Sequence, residues 1–214
     1  SANPKLAFSM FDENPFRAAY TNRIMEMENT SSHFGGYIAT SADLSHYKHD
    51  VLYFPSYNID DIYNNPASAL PKDSFMYFTV PTARLGRTPD GKDLIETISV
   101  DTYNNYQQWS DSKFGKRPQE YKDFKAKIQE NVMQQLESHI PEIVGKVDFV
   151  DSSTPLTNEH FTNSPQGSIF GIKHNMEQMR APIRAKTKLD GFYYTGQSLI
   201  FPGIVGVTIT SFVT

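Results

Sequence analysis

Between Pro118 and His139 the sequence places Tyr121, Phe124, Ile128, Val132 and Leu136 at steps of three and four residues, while Lys122, Lys125, Gln129 and Glu137 fall off that line. At 3.6 residues per turn the first set shares one face, so the spacing predicts an amphipathic helix of about six turns. Such a stripe faces a core, and the remaining chain has to supply the surface it covers. Pro141 ends or kinks the helix, Gly145 marks the stop, and Val147–Val150 resumes as a strand.

Other stretches read as the partners of this helix. His33–Thr40 predicts a strand in which Gly35-Gly36 allows a bulge or a close backbone contact. Val51–Phe54 is a further strand, and the apolar run Phe75–Val80 suits a central strand buried on both faces. Glu96–Asp101 alternates as its partner across the Arg84–Lys92 connection, and Leu6–Phe11 also reads as a short strand. Asn14-Pro15 looks like an N-cap followed by proline at the first helical position, with Phe16, Tyr20, Ile24 and Met27 at helical spacing, so a helix over Pro15–Glu28 is expected. Thr154-Pro155 repeats that signature before a short helix. The fold class is therefore α+β, with a mixed, largely antiparallel sheet covered by helices from Pro15 and Pro118.

Composition excludes several function classes. A formal charge of -4 argues against nucleic acid as the main partner, and the absence of cysteine removes disulfides, thiolate metal sites and cysteine nucleophiles. The same absence fits a reducing compartment, so the expected location is cytoplasmic, at most peripheral to a membrane. Asp43, His46, His49 and Asp50 have a spacing compatible with a helix face, but without a second cluster they read as surface polar residues and no metal is expected. Ser1-Ala2-Asn3 reads as the remnant of a tag.

The closing stretch, Gly191 to Thr210, reads as strand, turn and helix: Phe192–Thr195 is aromatic and β-branched, Gly196 breaks it, and Pro202-Gly203 opens an apolar run. Glycines at 203 and 206 leave room for a flat or anionic ligand to approach the backbone of a helix start. The sequence stops at Thr214 inside that run, so a piece of a longer protein is expected.

Three blocks carry a resemblance. Thr154-Pro155-Leu156-Thr157 with Phe161-Thr162, then Pro165 to Gly171, then Gly191 to Val207, resemble in order and spacing the C-terminal third of the carotenoid isomerase, phytoene desaturase and retinol saturase family of FAD-dependent oxidoreductases. The resemblance is closest over Ser153 to Thr214. It implies a substrate-binding domain over residues 1–152 and a segment over 153–214 that returns to the FAD-binding domain. The N-terminal G-x-G-x-x-G unit on which the family seats the cofactor pyrophosphate is absent from this sequence.

Carried over by position, the resemblance implies that FAD meets Gly196, Gln197, Pro202, Gly203, Ile204, Val205 and Gly206. Gln197 stands where the family usually has an acid, and it can still accept or donate a hydrogen bond without bringing charge. The implied chemistry is redox on C=C bonds of an isoprenoid polyene, a lipophilic small molecule in an apolar tunnel. Phe170, Met176, Met179, Tyr194 and Phe201 are the candidate tunnel residues, and His33 or Tyr194 is a proton donor by residue type. Two other readings stay open: a non-catalytic lipid-binding or interaction domain, and a flavoenzyme piece of the amine-oxidase type. An apolar C-terminal helix without its cover is expected to favour homodimers.

Overall fold

The computed structural model describes residues 3–64 and 74–212. In chain order it places a 3-10 helix at Pro4–Met10, α1 at Ala18–Glu26, β1 at Ser32–Thr40, β2 at Val51–Tyr53, α2 at Ile59–Asn64, β3 at Met76–Thr79 and α3 at Thr82–Leu85. There follow β4 at Asp93–Asp101, a second 3-10 helix at Tyr103–Trp109, α4 at Gln119–His139, β5 at Val147–Ser153, α5 at Pro155–Thr162 and α6 at Gly203–Phe212. The chain divides into two compact units, one of Ser31–Asn158 and one of Ser1–Thr30 with Glu159–Thr214. The expected tag remnant at Ser1-Ala2, the part of the Ser41–Pro71 region beyond Asn64 and the chain end at Thr214 lie outside the described residues.

The Ser31–Asn158 unit is a five-stranded sheet in the order β2-β3-β4-β1-β5. Its described pairings are all antiparallel, and β1 and β4 pair along their whole lengths from Ser32 opposite Asp101 to Thr40 opposite Asp93. The fold is α+β, as expected. One face of the sheet presents Phe34, Ile38, Met76, Phe78 and Ile95, which share a buried cluster with Tyr121, Ile128, Val132 and Leu136 of α4. Each such side chain contributes roughly 1.5–3 kcal/mol on burial, so this helix is held by its stripe and not by its intrinsic propensity.

Polar residues inside this unit are matched to partners. Gln135 lies on the buried side of α4, where its Nε2 donates to the Ser74 carbonyl at 2.5 Å. Asp93, fully buried at the start of β4, accepts from the Thr82 hydroxyl at 2.7 Å and the Leu44 amide at 2.9 Å, and it pairs with Arg87 at 3.2 Å. These bonds fix the crossing from β3 through α3 into β4.

The other unit holds the N-terminal and C-terminal segments around a smaller core of Ala7, Ile24, Met27, Ile172, Ile183, Tyr194 and Leu199. Leu6–Phe11 is not a strand: Pro4 opens a 3-10 helix whose first turn is capped by the Asn3 side chain, which accepts the Lys5 amide at 3.0 Å. The Pro15 helix starts later than its sequence suggests, at Ala18. Asn14 spends its side chain on the Phe16 amide at 3.0 Å and the Thr21 hydroxyl at 2.9 Å, which makes a turn where a helix start was expected. Ile24 of α1 and Met27, the residue that caps its end, belong to this second core and not to the sheet's, which corrects the expectation that α1 covers the sheet.

Phe192–Thr195 likewise forms no strand. Tyr193 makes a single antiparallel bridge with Lys186, and the turn between them is tied by the Thr187 hydroxyl donating to the Phe192 carbonyl at 2.7 Å. Gly191 at φ +78° and Gly196 at φ +119° bend the backbone on either side, leaving too few residues for a ladder. The expected helix after Pro202-Gly203 is present as α6.

Candidate functional site

The residues expected to meet cofactor all lie in the second unit, and the turn between Phe201 and Gly206 organises them. A Cβ on Gly206 would overlap the Phe201 carbonyl, so this glycine closes the turn upon itself. Gly203 differs: at φ +79° it has nothing within 4 Å of the point where a Cβ would stand, and its backbone faces open space. Ile204 and Val205, 88% and 73% exposed, follow it on the first turn of α6. Gly206 and Thr210 form the buried side of that helix, and the Thr210 hydroxyl donates back to the Gly206 carbonyl at 2.8 Å. Gln197 is half-buried, with its Nε2 3.4 Å from the Ile169 carbonyl that it faces.

The candidate tunnel residues divide by burial. Tyr194 is in the core, its amide bonded to the Ala185 carbonyl at 2.9 Å. Burial first, and then the neighbouring Tyr20 phenol, raises the Tyr194 phenol above its ordinary range, so it holds its proton at neutral pH. Phe170, Met176, Met179 and Phe201 are exposed.

A second set of residues was missed by the sequence reading. On the sheet face opposite α4, strand register aligns Tyr37, Leu52, Leu94 and Phe149, and all four are exposed. One end of that face is polar. Gly35 pairs with Ser153, whose hydroxyl would lie 2.7 Å from a Cβ at Gly35, and the Tyr37 hydroxyl would lie 3.3 Å from the same point. His33, two residues away on the same face, has its ring 3.4 Å from the Asn158 amide nitrogen. Burial lowers the His33 pKa, which favours the neutral ring at pH 7. The available signal was the alternation of β1 and β5, where Tyr37 and Phe149 put aromatic groups on the side that α4 leaves uncovered.

Two of the polar residues weighed as metal ligands, His46 and Asp50, are engaged with other partners. His46 lies 3.4 Å from Glu142, and Asp50 accepts from Thr79 at 2.7 Å and Arg84 at 3.1 Å. Among the described residues no group of three or more His, Asp or Glu side chains is placed to hold a metal ion, and no helix is long and apolar enough to cross a membrane.

No protein-family model matches the chain. Over 185 residues it is 27% identical to the all-trans-retinol 13,14-reductase of Danio rerio, an alignment that spans 81% of this chain and 30% of that protein. The chain is thus similar in sequence to a protein named all-trans-retinol 13,14-reductase. The human all-trans-retinol 13,14-reductase is 28% identical over 138 residues, 61% of this chain and 23% of its own length. A second Danio rerio protein, an inactive all-trans-retinol 13,14-reductase, is 23% identical over 187 residues and covers 81% of this chain. The chain thus spans less than a third of the length of the curated relatives it matches. The retinol saturase resemblance expected from the C-terminal blocks holds, and the alignments to the two Danio rerio proteins extend it over most of the chain.

Proposed function

We propose that this chain is part of a FAD-dependent oxidoreductase that saturates a C=C bond of a retinoid-like isoprenoid. The observation that carries the reading is the homology to retinol 13,14-reductases along 81% of the chain. The local geometry supports it in two places. The open backbone at Gly203, with Ile204 and Val205 uncovered beside it, fits one wall of a flavin site, whose remaining walls come from outside these residues. The uncovered sheet face of Tyr37, Leu52, Leu94 and Phe149 offers apolar area to a lipophilic substrate.

In this reading FAD, when bound, supplies the hydride chemistry. The residues of this chain bind and orient the polyene, exclude water from it, and present the helix start at Gly203, whose unpaired N–H groups favour negative charge nearby. His33, neutral and half-buried, and Tyr194, protonated, are the proton-holding groups in the two units.

The test uses the longer gene product that contains this chain. Purified from a flavin-replete host, it is expected to carry FAD and, with a reductant, to convert all-trans-retinol to a product two mass units heavier. This chain alone is expected to take up little FAD. Flavin-loaded protein that returns retinol unchanged would favour the second reading, a non-catalytic lipid-binding domain; one Danio rerio relative is itself named inactive.

A further inference from the structure

Within the second unit, the start of α1 and the segment Pro182–Leu189 enclose a groove of about 690 Å³. Its cationic lining is Arg17, Arg23, Arg184, Lys186 and Lys188, and no carboxylate lines it. The last three arise from one local pattern. From Ile183 to Leu189 burial alternates: Ile183 is buried and Ala185, Thr187 and Leu189 half-buried, while Arg184, Lys186 and Lys188 are exposed. The segment bends at Ala185 and again at Lys188–Leu189, and it presents all three cations to the same groove. The segment is held in place by the Lys186 bridge to Tyr193 and by the Ala185 carbonyl, which accepts the Tyr194 amide at 2.9 Å.

Across the groove, Arg23 donates to the Ala181 carbonyl and lies over the Tyr20 ring at 5.5 Å from its centroid. Phe16 lies beside Tyr20, their ring centroids 5.4 Å apart and the planes 30° from parallel. None of the five cations forms an ion pair with a described carboxylate. Gathering like charges in one concavity without counter-charge is unfavourable for the free protein, and an anionic ligand relieves that repulsion.

We propose that this groove binds a soluble nucleotide polyphosphate, with the phosphates against Arg184, Lys186 and Lys188 and the planar base against Phe16 and Tyr20. The volume lies within the range of small-molecule sites. A concave cleft with an aromatic wall suits a phosphorylated ring better than a flat anionic surface, and the chain's net charge of -4 disfavours a nucleic acid. The groove shares no residue with the segment from Gly196 to Gly206, and the inference does not rest on the flavin reading.

Titration calorimetry of the full chain with ADP at about 50 mM salt tests it, with inorganic tripolyphosphate as a ringless probe. Saturable one-to-one ADP binding is expected, weakened about tenfold or more by the triple substitution Arg184→Gln, Lys186→Gln, Lys188→Gln. The charge-matched triple Lys113→Gln, Lys116→Gln, Lys122→Gln, on exposed positions of the sheet unit, is expected to leave it unchanged. Phe16→Leu is expected to weaken ADP and spare tripolyphosphate. Absence of saturable ADP binding overturns the proposal, as does an equal loss in the control triple, which would mean non-specific attraction. Sedimentation with phosphatidylserine vesicles through these cations, without ADP binding, overturns it in favour of a membrane-facing patch. Because the substituted cations are solvent-exposed, circular dichroism of each triple is expected to match the unsubstituted chain.

Discussion

Tyr106 donates its phenol hydrogen to Oδ2 of Asp101 at 2.6 Å, and both residues are fully buried. The other carboxylate oxygen accepts the Thr102 amide at 2.7 Å and the Asn105 side-chain amide at 2.8 Å. This knot ends β4 and starts the Tyr103–Trp109 helix, bringing Tyr106 and Trp109 against Phe124 of α4. Tyr106→Phe keeps the ring and leaves Oδ2 buried without its donor, at a cost of about 1–3 kcal/mol. A chemical-denaturation midpoint that falls with an unchanged slope is the expected signature.

The same pair sets a pH dependence. Burial is the largest influence on Asp101 and raises its pKa above the ordinary 3.8, with the bonds from Tyr106, Thr102 and Asn105 opposing it. The folded state therefore holds a proton that the unfolded state has released, in the window between the two values. The stability Asp101 contributes is fully present below the unfolded value and is lost as pH rises through the folded one. Unfolding free energies of the protein and of Asp101→Asn, measured through the acid range, should diverge in the variant's favour as pH rises. A constant difference between them would mean that Asp101 does not titrate there.

How much of this was legible in the sequence depended on whether a residue's partner was near in the chain. The stripe from Tyr121 to Leu136 announces its own buried face, and the strands at 33–40, 75–80 and 96–101 announce theirs by runs and alternation, so the sheet and its covering helix were readable. Leu6–Phe11 was misread because a short run with five apolar residues in six fits a strand as well as a helix, and only the Asn3 cap and Pro4 decide it. Phe192–Thr195 has strand composition, but a ladder needs a long neighbour, and the glycines at 191 and 196 leave a single bridge. That α1 shares a core with Ile172, Ile183 and Leu199 depends on contacts well over a hundred residues apart, which no local pattern encodes. At the candidate site, Gly203 and Gly206 were both singled out for room, yet only Gly203 has it. The uncovered sheet face escaped notice because its four exposed apolar side chains are spread over four strands.

Asp93 anchors the sheet unit through an ion pair with Arg87 and bonds from Leu44 and Thr82, while the Thr82 hydroxyl also accepts the Leu94 amide at 3.0 Å. Asp93→Ala leaves a buried amide, a buried hydroxyl and a half-exposed guanidinium without their acceptor. The expected loss is about 3 kcal/mol, below the figure for a wholly buried pair because Arg87 reaches solvent. Thermal unfolding monitored at Trp109 is the measurement, and a change under about 0.5 kcal/mol would assign the anchoring to other residues.

The contrast between the two glycines of the closing turn gives another outcome. Gly206→Ala forces a methyl into the Phe201 carbonyl, so the turn opens and α6 loses its buried side at Gly206 and Thr210. Gly203→Ala meets no atom and costs only the strain of φ +79°, about 1 kcal/mol. Limited proteolysis is expected to cut Gly206→Ala rapidly between Phe201 and Phe212, while Gly203→Ala and the unsubstituted chain resist at similar rates.

The last expectation concerns the outer surface of α6. Ile204, Val205, Ile209 and Phe212 are exposed on a ten-residue helix that carries no charged side chain. Apolar area of this kind is driven to find cover, at roughly 25 cal/mol for each Å² removed from water, and in a solution of this chain alone the available cover is a second copy. Self-association through α6 is thus expected to strengthen with protein concentration and to persist at high salt, unlike association through charged groups. Ile204→Ser with Phe212→Ser removes two of the exposed apolar groups without touching Gly206 or Thr210, which hold the helix in place. Sedimentation velocity should then show the substituted protein as a monomer at concentrations where the unsubstituted chain forms dimers, and an unchanged distribution would place the contact on another surface.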